Sequence, residues 1–389
     1  MTFNVNRDSL APRPDWVYKK TEVITHLKNF AADNYQSERN DLRGTVSFIS
    51  PYISRGLITL PEVTEIILEN NNKNKVYKYI NELAWREYWQ RVWRQLNADI
   101  FSDIRNEQDF KSKDISQAIV EGKTGINTLD DSIQALYEIG YVHNHARMWL
   151  AGLTANIAST WWKTGADWMY YHLYDGDLAS NHLSWQWVAG TFSHKQYLPQ
   201  QGNINKYSDS DQTNTFLDAS YQKIGEMDVP EVLQKRQALE LELDLPKSDE
   251  IDIDADKPTL LYHAYWLNPD WQLISELADN PDQVNRILVF EPSHYQNHPI
   301  SAKVFEFIIK LARKNLENVK VYVGEQADLV REQNLDSNKV HYLDHPITKN
   351  WIGQADSYQQ TYLFPQVDEQ FYSSFSKFWK QAKPYYDKL

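Results

Sequence analysis

The sequence predicts a mainly α-helical domain followed by a smaller α/β domain with a small parallel sheet. Two observations predict this class. Residues 141–190 hold six of the fourteen tryptophans and read as a series of helices. After residue 257, short runs rich in β-formers alternate with helical segments, and this alternation is typical of a parallel sheet with crossover helices.

The four β-rich runs are 259–264, 286–291, 319–324 and 339–344, and the helical segments between them are 270–278, 300–315 and 325–333. Before them lies the acidic segment 229–257, which we interpret as a linker. The predicted domains are therefore a helical domain at 1–228 and an α/β domain at 258–389.

Composition excludes several kinds of site. The chain has no cysteine, so it forms no disulfide, iron–sulfur cluster or zinc–thiolate centre. His143 and His145 are two residues apart and point to different helix faces, and we expect no metal site. No run reaches the roughly 20 apolar residues of a spanning helix, and the first residues lack the apolar core of a signal peptide. We expect a soluble, cytoplasmic protein.

The net charge of −13 argues against a nucleic-acid partner. Most of the acidic surplus lies after residue 225, however. A local basic groove in the aromatic-rich half therefore stays open as an alternative.

The clearest predicted helix covers residues 76–96, where Trp85, Trp89 and Trp93 recur at every fourth position. Such a stripe is more often core than cofactor site. Glu82 lies on nearly the same face, and a carboxylate there needs a partner or a substrate. Arg86 and Glu87, by contrast, read as solvated residues when they are taken singly.

The central stretch is predicted to be helical from His143 to Trp162, broken at Gly165, and helical again through Leu173. An Asp-Gly-Asp turn follows at 175–177. Polar groups packed so densely among aromatic rings are costly to bury without partners. A large, flat, polar-edged molecule, such as an aromatic cofactor, would satisfy them together.

Two features near this stretch have ordinary explanations as well. The hydroxyls of Ser47 and Ser50 beside Pro51 suit a phosphate at a helix start, or a plain serine cap. Arg147 and Asp175 are also compatible with a structural ion pair.

Taken together and in order, these features resemble the FAD-binding domain of the photolyase/cryptochrome family. Four blocks carry the resemblance: Tyr35 to Arg39 with GTVSFISPYISRG, ELAWREYW at 82–89, residues 121–148, and residues 161–187. The resemblance spans roughly residues 15–207.

The resemblance implies FAD as cofactor. The positions it assigns to FAD binding are Tyr35, Ser47, Ser50, Arg86, Asn144, Arg147, Asp175, Asp177 and Asn181. Asn181 matches the residue that faces flavin N5, and its amide can donate or accept there.

It also implies an electron route and a substrate surface. Trp185 matches the flavin-proximal tryptophan and Trp162 the middle one. The outer tryptophan has no match near residues 109–110, where Trp161 or a tyrosine could substitute. The positions that match the pyrimidine-dimer pocket are Glu82, Trp85, Asn144, Met148 and Trp187.

Two departures weigh against repair: His145 replaces an arginine that touches DNA phosphate, and the loop after Trp187 lacks the family sequence. The leading interpretation is a deoxyribodipyrimidine photolyase-like flavoprotein, with damaged DNA as partner and with Glu82, Asn181, Trp185 and Trp162 in catalytic roles. The alternative is a cryptochrome-like blue-light or redox sensor with a protein signalling partner. A flavin-free structural descendant is the third hypothesis.

The α/β part faintly resembles the family's antenna domain, which suggests a circularly permuted order. An unrelated α/β module is the alternative. We find no motif in this part that predicts binding of an antenna chromophore.

Overall fold

The computed structural model describes residues 4–6, 9–271 and 283–389. The first part of the chain is helical, with two small two-stranded sheets, β1 (Val5–Asn6) with β2 (Arg13–Pro14), and β3 (Ile115–Ser116) with β4 (Arg236–Gln237). Its helices are α1 (Lys20–Lys28), α2 (Tyr35–Glu38), α3 (Ser50–Ser54), α4 (Leu60–Asn70), α5 (Lys73–Leu96), α6 (Gln117–Glu121), α7 (Asn127–Ile139), α8 (Asn144–Gly152), α9 (Trp162–His172), α10 (Leu178–Ala189), α11 (Gln201–Ser208), α12 (Tyr221–Glu226) and α13 (Glu231–Gln234).

Helix α5 confirms the prediction for residues 76–96. It begins where the Asn72 side chain accepts a hydrogen bond from Asn74 N, and it ends at Asn97, which has a positive φ of 51°. The central stretch differs from the prediction. Helix α8 continues into a π-helical turn at Leu153–Ile157. The helical conformation is then interrupted, and the next helix, α9, begins at Trp162.

The predicted break at Gly165 is wrong, because Gly165 lies inside α9. A Cβ at this position would lie 2.3 Å from a ring carbon of Trp185. The residue is therefore a glycine because α9 must lie directly against the Trp185 ring.

The second part of the chain is an α/β domain with a parallel five-stranded sheet in the order β7-β6-β5-β8-β9. Its strands are β5 (Thr259–Tyr262), β6 (Asn285–Phe290), β7 (Lys320–Val323), β8 (Val340–Leu343) and β9 (Gln354–Asp356). Its helices are α14 (Pro292–Asn297), α15 (Ala302–Asn315), α16 (Gln326–Glu332) and α17 (Phe375–Tyr386).

The four predicted strands and the helices predicted at 300–315 and 325–333 are confirmed. The helix predicted at 270–278 falls almost entirely on residues 272–282, which lie outside the described residues. Segment 229–257, predicted as a linker, carries β4, which pairs with β3 of the helical part, and Asp249, whose backbone N–H donates to Val321 O. The domain boundaries stay a prediction.

The two parts pack against each other behind the carboxyl end of β5. Gly56 has a φ of 59°, and a Cβ there would lie 2.3 Å from the carbonyl oxygen of Tyr265. The Tyr265 hydroxyl lies 3.1 Å from that of Tyr170 on α9. At the other side, the buried Lys20 amine bonds Glu62 at 2.5 Å and Asp270 at 2.7 Å. The interface is therefore polar as well as aromatic.

The C-terminal segment, residues 358–389, returns to the helical part and packs on α5. Glu87 of α5 is fully buried, with 0% of its side chain exposed, and Arg91 pairs with it at 2.9 Å. The prediction that Glu87 is solvated is therefore wrong. Backbone groups of the C-terminal segment surround the pair, and such neighbours 276 residues away leave no local trace in the sequence.

In the described part of the chain, no helix combines the length and the apolar character needed to cross a membrane.

Candidate functional site

Asp175 is the centre of the first polar cluster. It lies in the turn between α9 and α10, and both of its oxygens accept from Arg147 Nη2, at 3.0 and 2.8 Å. Ser50 Oγ donates to Oδ2 at 2.6 Å, and Ser54 Oγ donates to the Asp175 carbonyl at 2.8 Å. This carboxylate therefore ties α3, α8 and the turn together.

Asp177 is the centre of the second cluster. Its Oδ1 caps α10 by accepting from Ser180 N at 2.6 Å. Its Oδ2 accepts from Gln90 Nε2 at 2.6 Å and from Arg86 Nη2 at 3.4 Å. Sequence reasoning missed Gln90, which lies one helical turn after Arg86 on the buried stripe of α5. That i, i+4 spacing was the only available signal.

Ser47 and Tyr35 lie on the other side of α3. Ser47 Oγ accepts from the Tyr79 hydroxyl at 3.1 Å, and the Tyr79 ring packs edge-on against Tyr35 at 5.0 Å. Burial raises the pKa of both tyrosines. Both phenols are therefore protonated donors at neutral pH.

The segment between the two serines is unusual. Phe48 has a positive φ of 53° although it is not glycine. Its ring lies 5.4 Å from Tyr141, and the Arg147 guanidinium lies 5.4 Å from the same tyrosine ring. Ser50 is not a helix cap, because the N-cap of α3 is Ile49 and makes no side-chain bond. The plain capping interpretation of Ser50 is therefore wrong.

Asn181 and Trp185 lie on the buried face of α10. Asn181 is 9% exposed, and its Nδ2 donates to Ala166 O at 2.9 Å. Trp185 is 2% exposed. Trp162 is fully buried, and its indole N–H donates to Asp103 at 2.6 Å. Since Trp162 precedes Gly165 by three residues on α9, it lies on the face that Trp185 contacts.

Trp161 adjoins Trp162 at a half-buried edge, with ring centroids 6.4 Å apart. Phe110 lies parallel to it at 6.3 Å. Lys113 and Lys163 lie over its ring at 4.7 and 5.9 Å. A tryptophan thus lies next to Trp162 on its more exposed side, although the position near residues 109–110 holds none.

The residues predicted to face a pyrimidine dimer are already in contact with parts of the chain itself. Glu82 pairs with Lys78 at 2.9 Å and with Arg39 at 3.4 Å. The Trp85 ring stacks on Phe375 of α17, with centroids 4.0 Å apart and an interplanar angle of 10°.

On the other side, Trp187 stacks on Tyr197 at 4.0 Å and 24°. Asn144 is exposed and Met148 half-buried. His145 bonds the Asn40 carbonyl at 2.8 Å, and burial lowers its pKa. A neutral histidine is a weaker phosphate partner than an arginine would be.

Much of the helical part matches a known protein family. Residues 79–242 match the family model described as the FAD binding domain of DNA photolyase. These residues are a FAD-binding domain of the DNA photolyase family. FAD is thus the cofactor of this domain.

Relatives of the photolyase domain carry both repair and cryptochrome names. A deoxyribodipyrimidine photo-lyase of Streptomyces griseus is 30% identical over 173 residues, which cover 44% of this chain and 38% of that protein. A cryptochrome DASH of Danio rerio is 29% identical over 190 residues, covering 44% of this chain and 36% of the relative. The chain therefore spans less than half the length of these two relatives.

Among solved structures, a Synechocystis cryptochrome aligns with a TM-score of 0.47 and 20% identity, over 54% of this chain and 46% of the other. The family match ends at residue 242, before the α/β part begins. The permuted antenna-domain interpretation of residues 258–389 stays a prediction.

The residues of the photolyase domain fit a bound FAD. Gln90 Oε1 and Ser180 Oγ, on either side of Asp177, are buried and have no hydrogen-bond partner among the described residues. Hydroxyl and amide groups of a ribityl chain or flavin ring are suitable partners for such atoms. Tyr35, Ser47 and Ser50 precede the matched range, yet Ser50 is tied to it through Asp175 and Ser47 through Tyr79.

Proposed function

We propose that the protein holds FAD around Asp175 and Asp177 and uses light-driven electron transfer from reduced FAD to pyrimidine dimers in DNA. The observation that carries this proposal is the convergence of the Ser50–Asp175–Arg147 and Gln90–Asp177–Arg86 clusters on α3, α5, α8 and α10. Bound and reduced, FAD supplies the light-absorbing electron donor.

The polar clusters position the cofactor. Asp175 is fixed by Arg147 and Ser50, so its own charge is neutralised within the protein. Arg147 keeps a second face for a ligand, since 22% of its side chain is exposed. Asn181 donates to Ala166 O through Nδ2, which leaves its amide oxygen as an acceptor toward the flavin edge.

Electrons from an external donor pass through Trp161, then Trp162 and finally Trp185, which is next to the flavin. Trp185→Phe should keep FAD bound and slow its photoreduction by an external thiol. Trp168→Phe is the matched control. Trp168 is buried like Trp185, but it lies on α9 and its indole N–H donates to the Tyr137 hydroxyl. Equal photoreduction rates in wild type and Trp185→Phe would exclude this route.

On the substrate side, Glu82, Trp85, Asn144, Met148 and Trp187 would contact a flipped dimer. Aromatic rings stack on bases, and a carboxylate and an amide meet their polar edges. Glu82→Ala should reduce repair and leave flavin absorbance intact, whereas Glu65→Ala, on the exposed face of α4, should change neither.

The test compares an oligonucleotide that contains a dimer with a plain one, at two salt concentrations, with FAD reduced beforehand. Preferential binding of the dimer with a shallow salt dependence, followed by loss of the dimer under light, is the expected result. Equal binding and no dimer loss would overturn repair.

A cryptochrome-like sensor is the second candidate, and one observation favours it. Phe375 covers Trp85, Tyr197 covers Trp187, and Glu82 is held by two cations. The chain itself thus occupies groups that a dimer would need. Normal photoreduction without dimer binding would support the sensor.

A further inference from the structure

The indole N–H of the buried Trp162 is hydrogen-bonded to a carboxylate. Trp162 Nε1 donates to Asp103 Oδ1 at 2.6 Å, and none of the Trp162 side chain is exposed to water. His182 packs edge-on against the Trp162 ring at 6.2 Å, but its own Nε2 is bonded to Asp167 at 2.9 Å. Asp103 is therefore the acceptor of this N–H, and the bond is charge-assisted.

The segment that carries Asp103 is fixed to the start of α9. Asp103 Oδ2 accepts from Gln108 N at 2.8 Å. Gln108 Oε1 accepts from Trp162 N at 2.7 Å, and Gln108 Nε2 donates to Thr160 O at 3.0 Å. The carboxylate is therefore held against the indole before any charge develops there. Asp103 is only half-buried, so it extends from the buried ring toward solvent.

The charges around the neighbouring Trp161 have the opposite sign. The Lys113 ammonium lies 4.7 Å from the centroid of the Trp161 ring, and that of Lys163 lies at 5.9 Å. Lys163 is paired with Asp167 at 2.5 Å, whereas Lys113 has no carboxylate within ion-pair distance in the described part of the chain. Loss of an electron makes a ring positive, which a nearby carboxylate favours and a nearby ammonium opposes. The positive charge is therefore more stable on Trp162 than on Trp161.

We propose that Asp103 accepts the indole proton of Trp162 when Trp162 is oxidised, and this inference rests on the electron route proposed above. Trp162 gives one electron to the oxidised Trp185. Its N–H bond breaks, the proton passes to Asp103 Oδ1, and the products are a neutral tryptophan radical and a neutral carboxylic acid. An external thiol is then oxidised and returns one electron through Trp161, and the proton returns from Asp103 to the indole nitrogen.

This proton transfer slows the reverse reaction. A radical cation on Trp162 could regain its electron from Trp185 in a single step. A neutral radical must regain its proton as well, and in this form no uncompensated charge remains in the buried site. Asp103 thereby gives the external donor time to act.

The test follows the tryptophan radical by transient absorption after a blue-light flash on FAD-loaded protein without DNA. The neutral radical and the radical cation have different absorption bands. Wild type should form the neutral radical at a rate independent of buffer concentration, because the proton acceptor belongs to the protein. Asp103→Asn keeps an acceptor oxygen that does not take up the proton. Its radical should stay a cation, and the radical lifetime should fall about tenfold, the factor that corresponds to one charge-assisted hydrogen bond.

Asp109→Asn is the matched control, since it removes the same charge from an exposed position of the same segment. Trp161→Phe should still form the neutral radical and should slow only its reduction by the thiol. In the dark, NMR of the Trp162 indole nitrogen, assigned with Trp162→Phe, adds a readout that needs no flavin excitation. This resonance should shift when acid protonates Asp103, and it should not shift in Asp103→Asn.

Three results would overturn the role of Asp103 and leave the electron route intact: a radical that stays a cation in wild type, equal radical lifetimes in wild type and Asp103→Asn, or a wild-type rate that rises with buffer concentration. Unchanged photoreduction in Trp185→Phe would instead overturn the route, and this inference with it. Because no dimer is used, failure of repair leaves the role of Asp103 unaffected.

Discussion

Two arginine–carboxylate pairs in this protein have similar N–O distances, 2.9 Å for Arg91–Glu87 and 2.8 Å for Arg147–Asp175, and differ in how they are enclosed. Arg91 and Glu87 are 1% and 0% exposed. The C-terminal segment completes their hydrogen bonds: Glu87 accepts from Leu363 N at 2.6 Å and Phe364 N at 3.1 Å, and Arg91 donates to Val367 O at 3.1 Å. Each side of this pair is occupied by protein.

The Arg147–Asp175 pair is open by comparison. Asp175 is 4% exposed, but Arg147 keeps 22% of its side chain accessible. Its protein partners are Ser50 and the Val142 carbonyl, and none comes from the C-terminal segment. A closed pair holds segments of the fold together, whereas an open pair retains hydrogen-bonding capacity for a ligand. The two pairs therefore differ in whether room for a ligand remains beside them.

The largest expected effect is that of Glu87→Ala. It removes the nearer carboxylate partner of the buried Arg91 and leaves only Glu369, 3.7 Å away, which costs about 3–5 kcal/mol in free energy of unfolding. Urea denaturation measures this loss, with Glu65→Ala as the surface control. FAD affinity of the folded fraction should stay near wild type. If Glu87→Ala instead lost FAD and kept the wild-type free energy of unfolding, the Glu87–Arg91 pair would serve the cofactor and not the stability of the fold.

Asp175→Ala should show the opposite balance. FAD content on purification should fall sharply, while the free energy of unfolding should fall less than in Glu87→Ala, by about 1–3 kcal/mol, since Arg147 can reach water. Absorbance at the flavin bands and urea denaturation measure the two effects. Wild-type flavin content together with wild-type stability would show that the pocket is misplaced.

Acid should destabilise the α/β side, where the C-terminal segment that closes the Glu87 pair originates. Burial lowers the pKa of His263 to about 3, of His294 to about 4 and of His298 to about 3. Because these folded-state pKa values lie below the unfolded value of about 6.5, their contribution to stability is complete above pH 6.5 and falls as the pH drops toward 4.

Each such histidine changes the free energy of unfolding by up to about 1.4 kcal/mol per pH unit in that window. Denaturation midpoints at pH 7, 6 and 5 measure the sum. The His298 ring lies 4.5 Å from the Phe101 ring of the helical part, measured between centroids. Because His298→Gln removes one of the titrating groups, the free energy of unfolding of this variant should depend less on pH. Equal midpoints at pH 7 and pH 5 would contradict this account.

The smallest expected effect is that of Phe375→Leu. The leucine retains most of the buried apolar area and loses the stacking with Trp85, which costs about 1 kcal/mol. Acrylamide quenching should report greater exposure of Trp85, and dimer binding should strengthen if this ring blocks the substrate surface. If the free energy of unfolding fell as much as in Glu87→Ala, Phe375 would be central to the stability of the fold.

The sequence located the open pair and not the closed one, for a physical reason. Arg147 and Asp175 lie within two of the long sequence blocks that carry the family resemblance, and the structure brings them together. Glu87 was misread because its burial depends on a segment 276 residues away. Gln90 escaped notice because no motif marks it, and the histidines at the interface escaped because burial by another domain leaves no periodicity.

Helix ends followed the same rule. The Trp stripe of α5 is a local signal, and the end of that helix at Leu96 was predicted, whereas its start at Lys73, after the Asn72 cap, precedes the predicted residue 76. Gly165 was misread as a break, because its cause is the Trp185 ring on a different helix. Strands β5 to β8 were predictable from composition, whereas the pairing of β4 with β3 inside an acidic segment was not.

The contact at Gly56 has a use in comparing genomes. With its Cα hydrogen facing the Tyr265 carbonyl and a left-handed φ of 59°, this position admits no larger residue while the two domains remain docked. A homologous chain with a larger residue there must shift the backbone around this contact, or lack the contact altogether. This one position therefore tests whether a homologous chain can keep the same close approach between its two parts.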